Sequence, residues 1–179
     1  HELPSGLPEE LLDCAHTTWD ECLDLGRKFG YRNSQVTVLA PTGTIGFMMD
    51  CDTTGIEPDF SLVKFKKLVG GGSMQIVNQT IPRALRKLGY TEETIEAIVE
   101  YISDNGHVVD APGLKPEHYA IFDTAMGARS ISPMGHVRMM AAVQSFISGA
   151  ISKTVNMPET ATVEEVEEIY YEGWKQGRK

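Results

Sequence analysis

The residues best suited to chemistry lie in the stretch 35–60, which reads QVTVLAPTGTIGFMMDCDTTGIEPDF. There, Thr42-Gly43-Thr44 sets two hydroxyls and a glycine directly after Pro41. Glycine lets backbone approach a ligand with no Cβ in the way. Successive backbone N–H groups with threonine hydroxyls make a concave anion site that suits phosphate oxygens. The same Pro-Thr-Gly-Thr word also serves as a plain strand-ending turn, and on spacing alone both readings stand. No Gly-Lys-Ser word follows it, so a P-loop nucleotide hydrolase is not supported.

Other reactive side chains form no recognisable constellation. Asp50, Asp52 and Glu57 are close in sequence, but their spacing matches no calcium loop. Structural hydrogen bonding to turn backbone is the expected role of such acids. Cys14, Cys22 and Cys51 are an odd count without a CxxC pair, which excludes a disulfide framework and gives no zinc site. Packing as small apolar residues is expected of all three, Cys51 being the one to watch because it is near the loop. His16, His107 and His118 have no metal-motif spacing and are expected at the surface, with His136 and Arg138 as helix-end or interface residues. No catalytic residue and no metal ligand is therefore assigned.

The elements that must hold the loop can be read from periodicity. Residues 35–41 alternate as a strand, with Val36, Val38 and Ala40 against Gln35, Thr37 and Leu39, until Pro41 ends the ladder. Ahead of it, residues 7–29 form an amphipathic helix with Leu11, Leu12, Ala15, Trp19, Cys22, Leu23, Gly26 and Phe29 on one side, closed by Gly30. After it, Leu62, Phe65 and Leu68 mark a strand, Gly70-Gly71-Gly72 a turn, and residues 74–77 a second strand. Helices follow at 80–88 and 92–103, the second capped by Thr91, and then comes a loop-rich tract over 105–131 with one helical turn near 116–119. Ser132-Pro133 starts a helix running to about 148 that is apolar nearly all round and should be largely covered. A strand at 151–157 sets Ser152, Thr154 and Asn156 against Ile151, Lys153, Val155 and Met157, and a capping box at Thr162 and Glu165 begins the last helix.

Composition bounds the class. A chain of 179 residues fits a single domain, 1–179, with a sizeable core, and 41% hydrophobic with 23% charged residues is ordinary for a globular protein. The net charge of −9 argues against a duplex nucleic-acid partner. A local exception is the basic set Lys64, Lys66, Lys67, Arg83, Arg86 and Lys87, expected to face an acidic segment or substrate phosphates. No apolar run is long enough to span a bilayer, so no membrane partner and a cytoplasmic location are expected.

The words APTGTIG (40–46), MDCDTTGIEPDF (49–60), LVKFKKLVGGG (62–72), SPMGHVRMMAA (132–142) and SGAISKTVNMP (148–158) resemble, in order, adenosylcobalamin-dependent (class II) ribonucleotide reductases. The resemblance covers nearly the whole chain and implies the C-terminal portion of the catalytic barrel, incomplete at both ends. The implied fold is α/β, a segment of a ten-stranded barrel with strands alternating with amphipathic helices. It implies that Pro41, Thr42, Gly43, Thr44 and Ile45 hold the phosphates of a ribonucleotide substrate, and that the complete barrel binds adenosylcobalamin. The Asn-x-Cys-x-Glu word of the radical-bearing loop and a partner cysteine pair are missing, as is the Asp-x-His-x-x-Gly word of base-off cobalamin proteins. The implied partners are the N-terminal remainder of the barrel and, through uncovered edges, a second copy of the chain. Two expectations follow: a reductase segment inactive without the chain carrying the radical and redox cysteines, or a non-catalytic scaffold on the same fold.

Overall fold

The computed structural model describes residues 8–49, 51–67 and 70–177. The chain divides into two compact units, His1–Val36 and Thr37–Lys179. The first is built on one helix, α1 (Glu9–Phe29). Glu9 and Glu10 sit at its positive end and Arg27 and Lys28 at its negative end, as the helix dipole favours. It stops at Gly30, whose φ of 77° turns the chain while its N–H still reaches the Gly26 carbonyl at 2.8 Å. Tyr31 then folds back over Gly26, where a Cβ would come within 2.0 Å of the phenol ring. The expected amphipathic pattern is present, but no residue of α1 is buried, and Leu11, Trp19, Leu23 and Phe29 are exposed. Cys14 is likewise exposed instead of packed, and Cys22 is only half-buried.

The second unit runs α2 (Gly43–Met48), β1 (Val63–Lys67), β2 (Ser73–Val77), α3 (Thr80–Lys87), α4 (Glu92–Asn105), a 3-10 helix (Pro116–Phe122), α5 (Pro133–Gln144) and α6 (Val163–Lys175). β1 and β2 form an antiparallel hairpin in register from Val63↔Val77 to Lys67↔Ser73. Gly70, Gly71 and Gly72 all have φ near +100°, a region L-residues avoid, which is why glycine makes this turn. Leu68, expected in the first strand, lies outside the described residues. The core sits where α3 and α4 close over the hairpin: Ile81 and Leu85, then Ile95, Ile98 and Ile102 at helical spacing, meet Leu62, Val63, Val108, Leu114 and Phe122. Thr91 caps α4 by accepting the Thr94 N–H, and Gly106 closes it in the left-handed region. Arg86 of α3 grips Glu92 of α4 through two bonds of 2.7 and 2.9 Å, which holds the Glu92 carboxyl below its ordinary range.

His107 and His118 are not surface residues as expected. His118 Nδ1 lies 2.6 Å from the Tyr90 hydroxyl, and His107 packs edge-on against Tyr101, so both rings are half-buried. α5 is capped by Ser132 as its sequence predicts, but only one side is covered: His136, Val137, Met140 and Gln144 are buried while Met139 is exposed. The capping box of α6 forms in both directions, Glu165 N–H to Thr162 Oγ1 at 3.3 Å and Thr162 N–H to Glu165 Oε2 at 2.8 Å. That helix buries Ile169 and Gly173 and leaves Val163, Val166, Tyr170 and Trp174 exposed along one stripe.

The expected strands at 35–41 and 151–157 depart most from the reading. They run parallel, but regular pairing shrinks to one bridge, Leu39↔Ile151. Around it the Leu39 N–H reaches Ala150 O, the Ser152 N–H reaches Leu39 O, and Thr37 and Ser148 exchange amide-to-hydroxyl bonds of 2.9 Å. Among the described residues the only sheet is the β1–β2 hairpin, so the barrel alternation implied by the sequence is not formed here. The physical reason is neighbours: a parallel ladder is the weaker pairing per residue and is sustained in sheets covered on both faces. Among the described residues, no helix is long and apolar enough to cross a membrane.

Candidate functional site

The parallel pairing at Leu39 delivers the chain to Pro41 and Thr42 at the start of α2. Thr42 has φ +50°, an outlier for a β-branched residue, and such strain persists only where the surroundings enforce it. Two bonds enforce it: the Thr42 carbonyl takes the Gly46 N–H at 2.6 Å, and its hydroxyl takes the Gly55 N–H at 2.8 Å. Having accepted that bond, the hydroxyl keeps its own proton to donate. The amides of Gly43, Thr44 and Ile45 open α2 and so have no carbonyl one turn back to satisfy them. All three residues are exposed, as is Pro41, with Thr42 half-buried behind them. Behind Pro41, which has no N–H, the residues Thr42 to Ile45 thus bring backbone and hydroxyl donors together.

The glycine logic of the loop differs from what the word suggests. Gly43 has open space where a Cβ would stand and no left-handed φ, so it is not conformationally required. The strained glycine is Gly55, at φ +57°, where a Cβ would stand 2.7 Å from the Ala40 carbonyl oxygen. Gly46 is buried, with the Thr54 methyl 3.3 Å from its Cβ position.

Beside the loop, a cavity of about 650 Å³ is lined by Thr53, Thr54, Glu57, Lys64, Thr154 and Asn156 among others, within the usual range for small-molecule sites. Its acids answer lysines, where turn backbone was expected. Asp59 Oδ1 lies 2.9 Å from Lys64 Nζ, which also pairs with Asp52, and Asn78 donates to the other Asp59 oxygen. Glu57 pairs with Lys153 at 2.6 Å. Asp50 lies outside the described residues. Cys51 is exposed, not part of the core.

Sequence reasoning placed His136 at a helix end or interface and Lys153 on one side of a strand, and gave neither a site role. The Lys153 side chain is 1% exposed, and its Nζ reaches Glu57 Oε2 at 2.6 Å, His136 Nδ1 at 2.9 Å and the Thr154 carbonyl. Glu57 Oε1 in turn accepts the Thr154 N–H at 2.6 Å. His136 is 2% exposed, and burial first, then the Lys153 charge, push its pKa below the ordinary histidine range against an opposing pull from Glu57. A signal was available: a lysine on the apolar side of a strand and a histidine inside an apolar helix each need a partner when buried.

A family model described as "Ribonucleotide reductase, barrel domain" matches residues 5–179. A vitamin B12-dependent ribonucleotide reductase of Streptantibioticus cattleyicolor is 71% identical over 165 residues, which is 92% of this chain and 28% of that protein. The protein so named in Rhodopirellula baltica is 54% identical over 176 residues, 96% of this chain and 17% of its own length. A vitamin B12-dependent ribonucleoside-diphosphate reductase of Mycobacterium tuberculosis is 43% identical over 144 residues, 80% of this chain and 20% of that protein. The chain thus spans between about a sixth and somewhat over a quarter of the length of these relatives.

Proposed function

Because this chain belongs to the ribonucleotide reductase barrel-domain family, we propose that it is the C-terminal portion of such a barrel, a single-domain segment whose 42–45 loop holds the phosphates of a ribonucleotide substrate. The observation that carries the reading is Thr42 at φ +50°, followed by three exposed amides at the opening of α2. Phosphate oxygens would take the Gly43, Thr44 and Ile45 N–H groups, with the Thr42 and Thr44 hydroxyl protons assisting. Held there, the nucleotide is fixed at one end, and the adjoining cavity has room for the rest of it.

Reduction of the ribose needs a radical-bearing cysteine and a reducing pair, and the sequence has neither in a recognisable word. Relatives of this chain are named vitamin B12-dependent, and the proposal assigns adenosylcobalamin to the complete barrel. When bound there, that cofactor supplies the radical. This chain supplies the phosphate grip and is inactive alone. A cytoplasmic site of action fits deoxyribonucleotide synthesis.

The exposed stripe of α6 supports a second reading, an interaction scaffold on the same fold. Mixing the chain with the remaining barrel and assaying ribonucleotide reduction separates the two. Turnover that depends on both pieces, and falls with Thr44→Val, supports the segment reading. Turnover indifferent to the loop overturns it.

A further inference from the structure

A buried ammonium persists only when paired and when each of its protons has an acceptor. Lys153 meets that condition with three acceptors from three parts of the chain: Glu57 Oε2, His136 Nδ1 of α5, and its neighbour's carbonyl at Thr154. A buried ion pair is weak ground for stability, because apolar residues of the same volume often serve as well. What this one does is fix a position. Glu57 closes a tight turn by donating its N–H to the Thr54 carbonyl at 3.1 Å, and inside that turn Gly55 donates to Thr42 Oγ1 at 2.8 Å. The Glu57 carboxylate is itself held at both oxygens, by Lys153 and by the Thr154 N–H, each at 2.6 Å. The turn is therefore a short rigid lever, anchored at one end by Lys153 and touching the strained threonine at the other.

We propose that Lys153, with Glu57 and His136, is the positioning cluster of the 42–45 loop, fixing through the Gly55–Thr42 bond the direction in which the Thr42 hydroxyl proton points. This inference rests on the phosphate reading for its ligand but not for its geometry. None of the three residues belongs to the 42–45 loop, and Glu57 lines the adjoining cavity. His136 must present a lone pair at Nδ1 to accept from Lys153, which leaves it neutral with its proton on Nε2. The charged groups felt at the ring are Lys153 from residues 151–157 and Glu57 from the turn. Protonating the ring removes an acceptor and sets two cations 2.9 Å apart, so the anchor is released in acid.

The test uses the 15N-labelled 179-residue chain, with the amide resonances of Gly55 and Thr42 as reporters and pyrophosphate as the ligand. Lys153→Met is expected to shift both resonances and weaken pyrophosphate about tenfold, as misdirecting one hydrogen bond to a charged group would. Lys153→Arg restores much of both. In the parent, the two resonances move together only once pH falls below the ordinary histidine range, because the folded-state pKa of His136 is lowered, and in His136→Gln they do not. A role confined to stability would leave the reporters of a folded variant in place. Folding is checked on the core amides of α4, and should Lys153→Met unfold, the isosteric Glu57→Gln carries the same expectations. Folded variants with unmoved Gly55 and Thr42 resonances overturn the proposal. Resonances that move in a chain binding no pyrophosphate support the positioning role and overturn the phosphate reading alone.

Discussion

Replacing Gly55 by alanine isolates the geometry on which the candidate site depends. At φ +57° an L-residue costs about 1–2 kcal/mol relative to glycine. The new Cβ would also stand 2.7 Å from the Ala40 carbonyl oxygen, so backbone must move, a crowding that typically adds about 1–3 kcal/mol. A central value of about 3 kcal/mol corresponds to a melting temperature lower by about 6–12 °C in a chain of this size. The same displacement lengthens the bond from Gly55 to Thr42, so pyrophosphate binding falls with stability. Gly43→Ala is the control: its Cβ meets nothing within 4 Å, and alanine gains up to about 1 kcal/mol over glycine inside a helix. Thermal unfolding of the parent and both variants, followed by far-UV circular dichroism, gives the comparison. Equal melting of parent and Gly55→Ala, or a Gly43→Ala as unstable as Gly55→Ala, refutes the reasoning.

Thr44→Val removes the hydrogen bond proposed to reach phosphate, worth about 1.5–3 kcal/mol, and should weaken phosphate binding tenfold or more by titration calorimetry in the complemented barrel. Because His136 is held neutral in the fold, the unfolded chain takes up more protons below its ordinary pKa. Stability should therefore be full above about pH 6.5 and decline as pH falls through it, with the decline reduced in His136→Gln when urea midpoints are compared. The chain alone, with adenosylcobalamin and a dithiol, should reduce no ribonucleotide, and product formation in a chromatographic assay would contradict this. Self-association that grows with concentration is expected from the exposed α6 stripe, and Trp174→Glu should reduce it in sedimentation velocity.

What was legible in the sequence was local. The caps at Thr91, Ser132 and Thr162, the glycine turn of the hairpin, and the α4 stripe each depend on residues within about one turn of one another, and each formed as read. The strands at 35–41 and 151–157 did not, because a parallel strand is completed by partners far away in sequence, which periodicity does not show. The loop residues were found as a word, but the word did not include Gly55, the glycine whose positive φ the backbone requires. Lys153 and His136 escaped for a related reason. A buried charge is legible only with its partner, and Glu57 stands 96 residues from Lys153.

The hydroxyl exchange between Thr37 and Ser148 joins residues 111 apart. Closing a loop of that length costs about 4 kcal/mol in chain entropy before the contacts themselves repay it. The hairpin, α3 and α4 close over far shorter spans, so they are expected to assemble first, with the junction at Thr37 and Ser148 zipping afterwards. The strained loop at Thr42 lies just beyond that junction, as does the lysine that steadies it. The proposed anion site is then among the last features of the unit to form and among the first to open when the chain begins to unfold.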